Sequence, residues 1–171
     1  INRHNIDLLS LHGRTVKDRY HGEVKYDLIA QAVKRVNCPV LANGNIDSAA
    51  TALKILSQTG AAGVMVGRWA IGNPWIFNQI RQVLLSEPIS AVPLAEVREY
   101  IDRLRLTPEA VKTPPRARAG HLKMYLNYIA LLVDSEGNFL RLMRKRKTEV
   151  ELLRLCDNIL LNSNKYLALA P

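Results

Sequence analysis

Three short apolar runs, each ending in a glycine-bearing turn and each followed by helical spacing, restrict the folds open to this chain more than any other feature. Residues 6–12 read as a first strand, and residues 26–36 as a helix with Leu28, Ile29, Ala32, Val33 and Val36 on one face. Residues 39–43 form the second run, after which Asp47 or Ser48 is placed to cap a helix reaching about Ser57. Residues 63–67 form the third, and a further helix is expected near 73–85 with Pro74 in its first turn, where a missing N–H costs nothing. Strand and helix alternate, and the strands are apolar on both faces, as in a buried parallel sheet. The first part of the chain is therefore α/β. Three strands cannot close a barrel of eight, so in a (β/α)₈ fold most of the barrel would lie outside the sequence.

The remainder reads differently. Residues 94–105, 118–133 and 138–162 carry helical spacing, with Leu122, Tyr125, Leu126, Ile129 and Val133 on one apolar stripe. The Pro- and Ser-bearing stretch 86–93 has no periodicity and marks the boundary between an α/β unit, residues 1–88, and an all-α unit, residues 89–171.

The formal net charge is +9, and its distribution is uneven. Between residues 112 and 147, Lys112, Arg116, Arg118, Lys123, Arg141, Arg144, Lys145, Arg146 and Lys147 face only Asp134 and Glu136. Such clustering suits a polyanion, and suits a solvated helix face equally well. The longest apolar run, residues 126–133, falls far short of the roughly 20 residues a bilayer requires. A soluble, cytoplasmic protein without a membrane partner is expected. Cys38 and Cys156 lack CxxC spacing and are read as small buried apolar groups. His4, His12, His21 and His121 lack ligand spacing, so no metal site is expected, and no Ser-His-Asp, HExxH, GxSxG or P-loop pattern occurs.

In parallel α/β folds, ligands collect at the carboxyl ends of the strands. The first strand ends in His12-Gly13-Arg14-Thr15. A histidine there can hydrogen-bond a planar polar ligand and Arg14 adds a cationic fork, although a plain turn with a satisfied histidine fits as well. The second ends in Asn43-Gly44-Asn45-Ile46 ahead of a helix, an arrangement that suits phosphate but is also a common turn. The third ends in Gly67-Arg68-Trp69-Ala70, where Arg68 can pair with phosphate. The last two ends together are read as a phosphate site.

The segments LLSLHGRT (8–15), RYHGEVKYDLI (19–29), PVLANGNI (39–46), GVMVGRWAIGNPWIF (63–77) and HLKMYLNYI (121–129) stand in an order and spacing that resembles the tRNA-dihydrouridine synthase family over nearly the whole chain. The resemblance implies the C-terminal part of an FMN-carrying (β/α)₈ TIM barrel followed by a helical tRNA-binding domain. It implies that Asn43, Gly44, Asn45, Gly67 and Arg68 hold the FMN phosphate and that His12 contacts the flavin. The implied reaction is NADPH-driven reduction of uridine to 5,6-dihydrouridine in tRNA. Arg14, Arg116, Arg118, Lys123, Arg144 and Lys145 are the expected tRNA contacts. Tyr125 and Tyr128 offer stacking faces, though Tyr125 lies on the apolar stripe and reads first as core. Trp69 and Trp75 read as packing groups.

The family's proton-donating cysteine lies on an earlier barrel loop and matches neither Cys38 nor Cys156, so no catalytic acid is assigned in this chain. The sequence opens on Ile1 with its first methionine at Met65, and is expected to be a piece that is poorly stable or self-associating. An RNA-binding module without catalysis, or another FMN-dependent barrel oxidoreductase, are the competing expectations. The basic helical half weighs against the second.

Overall fold

The computed structural model describes residues 1–18, 22–162 and 165–167. Arg19, Tyr20 and His21 of the resembling segment 19–29, and the end of the helical half beyond residue 167, lie outside the described residues. The described residues form two compact units, one within residues 1–70 and 76–89 and one within residues 71–75 and 90–167.

The first unit carries a parallel sheet in the order β1 (Leu9–His12), β2 (Val40–Asn43), β3 (Gly63–Met65). The helix α1 (Tyr26–Arg35) connects the first pair and α2 (Ala49–Thr59) the second. Asp27 in the first turn of α1 and Lys34 and Arg35 in its last turn complement the helix dipole. Of the two candidates at the start of α2, Ser48 is the cap: its Oγ accepts from the Thr51 N–H at 3.1 Å. The helix ends at Gly60, whose φ of +67° is the left-handed closure glycine permits. Ile29, Val40, Ala42, Ile46, Ala52, Ile55 and Ile76 form the core of this unit.

The strands are shorter than the apolar runs suggest, and their burial is one-sided. Val40 and Ala42 of the central strand are buried while Leu41 and Asn43 are only half-buried, and Ser10, His12 and Met65 are exposed. The expectation of strands covered on both faces therefore holds for one face among the described residues. After β3 comes a single turn α3 (Trp69–Gly72) that the spacing does not predict, and the helix expected near 73–85 is α4 (Ile76–Leu84), which starts after Pro74 rather than with Pro74 in its first turn. Pro74 sits in the turn between them, because it offers no N–H to continue a helix.

The second unit packs α5 (Leu94–Arg105), α6 (Pro108–Lys112), α7 (Pro115–Val133), α8 (Asn138–Lys145) and α9 (Glu149–Leu160). Val97, Ile101, Leu126, Ile129, Phe139, Met143, Leu152 and Leu160 are its buried side chains of largest size. The stripe on α7 buries Leu122, Leu126 and Ile129, and leaves Tyr125 and Val133 half-exposed. Residues 138–162 are two helices rather than one. Thr148 caps α9 through the Glu151 N–H while the Glu151 side chain returns to the Thr148 N–H, and this reciprocal pair ends the register of α8.

Candidate functional site

Register places the site. In the parallel ladders His12 stands opposite Asn43, and Asn43 opposite Met65, so the three strands end on one rung. The residues beyond that rung, Arg14, Gly44, Asn45, Ile46, Gly67, Arg68 and Trp69, line a cavity of about 280 Å³ together with His12, Asn43 and Met65. Groups 57 positions apart in sequence converge because a parallel sheet returns every strand to the same edge.

Each wall is fixed by ordinary hydrogen bonding. His12 Nδ1 lies 3.1 Å from the Asn43 carbonyl oxygen; a carbonyl only accepts, so Nδ1 carries a proton and Nε2 is the ring nitrogen this bond leaves over. Arg14 donates from Nε to the Gly22 carbonyl and from Nη1 to Asn45 Oδ1 at 3.2 Å. Asn43 Nδ2 donates to the Met65 carbonyl at 2.6 Å, joining β2 to β3, and its Oδ1 is the polar atom that remains. The Tyr26 hydroxyl donates to the Gly44 carbonyl at 2.8 Å, and burial pushes the Tyr26 phenol up, keeping it a neutral donor.

The glycines divide by function. Gly44 has φ of +133°, and a Cβ there would stand 2.8 Å from Val24 Cγ1 and 3.3 Å from His12 Cε1. Asn45 follows at φ of +46°, the left-handed region that asparagine tolerates best after glycine. Two successive residues of this kind turn the backbone sharply under the cavity. Gly67 is different: nothing lies within 4 Å of a Cβ built on it. The chain's own packing leaves that position open, as it would be where a ligand approaches backbone.

The cavity lining holds the cations Arg14 and Arg68 and no carboxylate, so its field favours an anion. Ser48 takes the Thr51 N–H in the first turn of α2, three residues past Asn45, and the cavity lining itself presents the turn and the two guanidiniums. All six residues expected around the cofactor share this one cavity. Arg14, expected among the tRNA contacts, stands in the same wall. The sequence reasoning missed Tyr26 and Val24, which sit under Gly44. Both belong to the segment 19–29, where the motif was visible but carried no role.

Of the remaining basic residues, Arg116, Arg144 and Lys145 are exposed, and Arg118 donates from Nε to the Thr113 carbonyl at 3.1 Å. Lys123 donates to the carbonyls of Arg144 at 3.0 Å and Arg146 at 2.6 Å, closing the C-terminal end of α8. Among the described residues no group of histidines, cysteines and carboxylates is arranged to hold a metal ion. No described helix is long and apolar enough to cross a membrane.

Residues 2–164 match the family model for dihydrouridine synthase (Dus). The chain belongs to the dihydrouridine synthase family. It is 44% identical over 97 residues to tRNA-dihydrouridine synthase B of Pseudomonas aeruginosa, a match covering 56% of this chain and 29% of that protein. To tRNA-dihydrouridine synthase B of Escherichia coli K12 it is 41% identical over 97 residues, 56% of this chain and 30% of that protein. The matches thus span under a third of the length of these curated relatives.

Proposed function

We propose that this chain supplies the phosphate end of an FMN site and a tRNA-binding helical domain to an enzyme that reduces uridine to 5,6-dihydrouridine in tRNA with NADPH. The convergence of His12, Asn43, Gly44, Asn45, Gly67 and Arg68 on one cation-lined cavity carries this reading. The residues fit the cofactor: two guanidiniums and a sharp glycine turn suit a phosphate monoester, and the space over Gly67 admits its approach. FMN, when bound, supplies the hydride for the uracil C5–C6 double bond. Arg14 and Arg68 hold the phosphate, His12 offers Nε2 to the flavin, and Tyr26 keeps the Gly44 turn in place.

Family membership supports reading the sheet as the last strands of a (β/α)₈ barrel, with residues 1–88 in the barrel and 89–171 in the helical domain. The half-covered face bearing Leu41, Asn43, His12 and Met65 suits a barrel interior. The proton-donating cysteine is then supplied from elsewhere. Cys38 lines a separate hollow with Ile1, Asn2 and His4 at the opposite strand ends, and Cys156 is fully buried in the helical unit. Arg116, Arg144 and Lys145 are the exposed cations best placed for tRNA phosphates, while Lys123 positions the end of α8.

The test is a flavin fluorescence titration of the chain with FMN and with riboflavin, which lacks the phosphate. FMN is expected to bind at least about tenfold more tightly, with Arg68→Ala removing most of that advantage. Equal affinity for the two flavins, or binding of neither by a chain shown to be folded, would overturn the assignment.

A further inference from the structure

The helical unit holds a second cavity, of about 200 Å³, that the reading above leaves unused. Arg118, His121 and Tyr125 project into it from α7, Val111 stands on its α6 side, and the Arg105–Glu149 pair closes another wall. The His121 and Tyr125 rings meet edge to face with centroids 5.3 Å apart, and both line the cavity. Arg105 Nε donates to Glu149 Oε1 at 2.8 Å, which cancels both charges on that wall while leaving the second carboxylate oxygen able to accept. A cavity of this size is smaller than a drug-sized site and suits one planar ring system. Arg118 lines the cavity too, so its lining carries one cation in excess of Glu149 and suits a group that is anionic at one end. The same α6–α7 stretch carries the exposed Lys112 and Arg116, and Arg118 is tied through Nε to the Thr113 carbonyl.

We infer that this cavity seats one unstacked nucleobase of single-stranded RNA, with the ring against His121 and Tyr125 and the flanking phosphates on Arg118 and its basic neighbours. A nucleobase is flat and carries N–H groups that Glu149 can accept, and its flanking phosphate supplies the anion that Arg118 suits. The inference deepens the proposal that the helical unit binds RNA and rests on it.

The test measures fluorescence anisotropy of the full chain with a single-stranded oligoadenylate and with a duplex of equal length. His121→Ala and Val111→Trp are the variants. Val111 is 58% exposed, so the larger side chain obstructs the cavity without entering the core. Each variant is expected to weaken single-strand binding about tenfold, the loss of roughly one stacked base, and duplex binding by less than about twofold. If single strand and duplex bind alike and both variants leave affinity within about twofold, the base site is wrong while RNA binding stands. If the unaltered chain binds neither RNA, the RNA reading fails, and the cavity is judged by titration with adenosine monophosphate. Saturable amide shifts confined to residues 110–125 would retain the base site, and their absence would overturn it.

Discussion

Gly44→Ala and Gly67→Ala are chemically the same change and should have opposite consequences. At Gly44 the new Cβ meets Val24 Cγ1 at 2.8 Å, Val24 Cγ2 at 3.0 Å and His12 Cε1 at 3.3 Å. Val24 cannot retreat easily, since its Cγ1 also lies 2.6 Å from the position a Cβ on Gly13 would take. Overpacking of this kind costs about 1–3 kcal/mol. The φ of +133° adds strain of about 1–3 kcal/mol for a residue with a side chain. A total of about 2–6 kcal/mol would lower Tm by about 4–24 °C in a chain of this length. At Gly67 no atom lies within 4 Å, so the methyl should change stability by less than about 0.5 kcal/mol while weakening FMN binding. Thermal unfolding by circular dichroism gives the Tm, and hydrogen exchange of the amides in β1 and β2 reports this unit separately from the helical one. A Gly44→Ala chain melting within about 1 °C of the parent, or a Gly67→Ala chain as unstable as Gly44→Ala, would refute the division of the two glycines.

Three further outcomes are expected. Lys123→Met removes two hydrogen bonds from an ammonium to the carbonyls of Arg144 and Arg146, and should destabilise the end of α8 by about 2 kcal/mol; unchanged exchange protection across α8 would contradict it. Burial opposes ionisation of Asp102, but hydrogen bonds and charge from Arg98 and Arg105 outweigh it and hold the carboxyl below its ordinary 3.8. A lowered folded value stabilises above the unfolded pKa and is lost as pH falls through the folded one. Glu151, held down by the Lys147 and Thr148 amides, acts in the same direction. The urea midpoint of the helical unit should therefore fall on acidification below about pH 4, and Asp102→Asn should flatten part of that fall. Finally, burial pushes the Cys156 thiol up to about 12. An aromatic disulfide reagent at pH 8 should titrate Cys38 in the native chain and Cys156 only after unfolding; two fast thiols in the native state would rule this out.

The strand ends were readable because an apolar run, a glycine turn and the following helix are local signals, and parallel pairing then carries His12, Asn43 and Met65 to one rung without further information. The break between α8 and α9 was also written locally, as the polar run 144–147 followed by Thr148-x-x-Glu151, but the helical spacing on its two sides reads as one helix. The helix α6 had its signal in Thr107-Pro108, a cap followed by proline at the first helical position. What no local pattern carries is the work of a cation whose partner is distant. Lys123 looks like any exposed lysine until the carbonyls 21 and 23 residues away come to it.

That distinction changes how the basic cluster should be counted. Sequence offers nine cations between residues 112 and 147. In the structure Arg118, Lys123 and Arg141 donate to oxygens of the chain itself, and Arg146 is half-buried. Lys112, Arg116, Arg144, Lys145 and Lys147 are the exposed remainder. Counterion release scales with phosphates neutralised, at a slope of about −0.9 per phosphate for a duplex. Five contacts would give a plot of log affinity against log salt a slope near −4.5, and nine would give about −8. A measured slope near −8 with tRNA would mean that the internal bonds of Arg118, Lys123 and Arg141 open on binding and that the half-buried Arg146 turns to the RNA as well. A slope near −4.5 would mean that these three side chains keep their internal bonds while the other five meet the RNA, which would remove the phosphate contact inferred for Arg118.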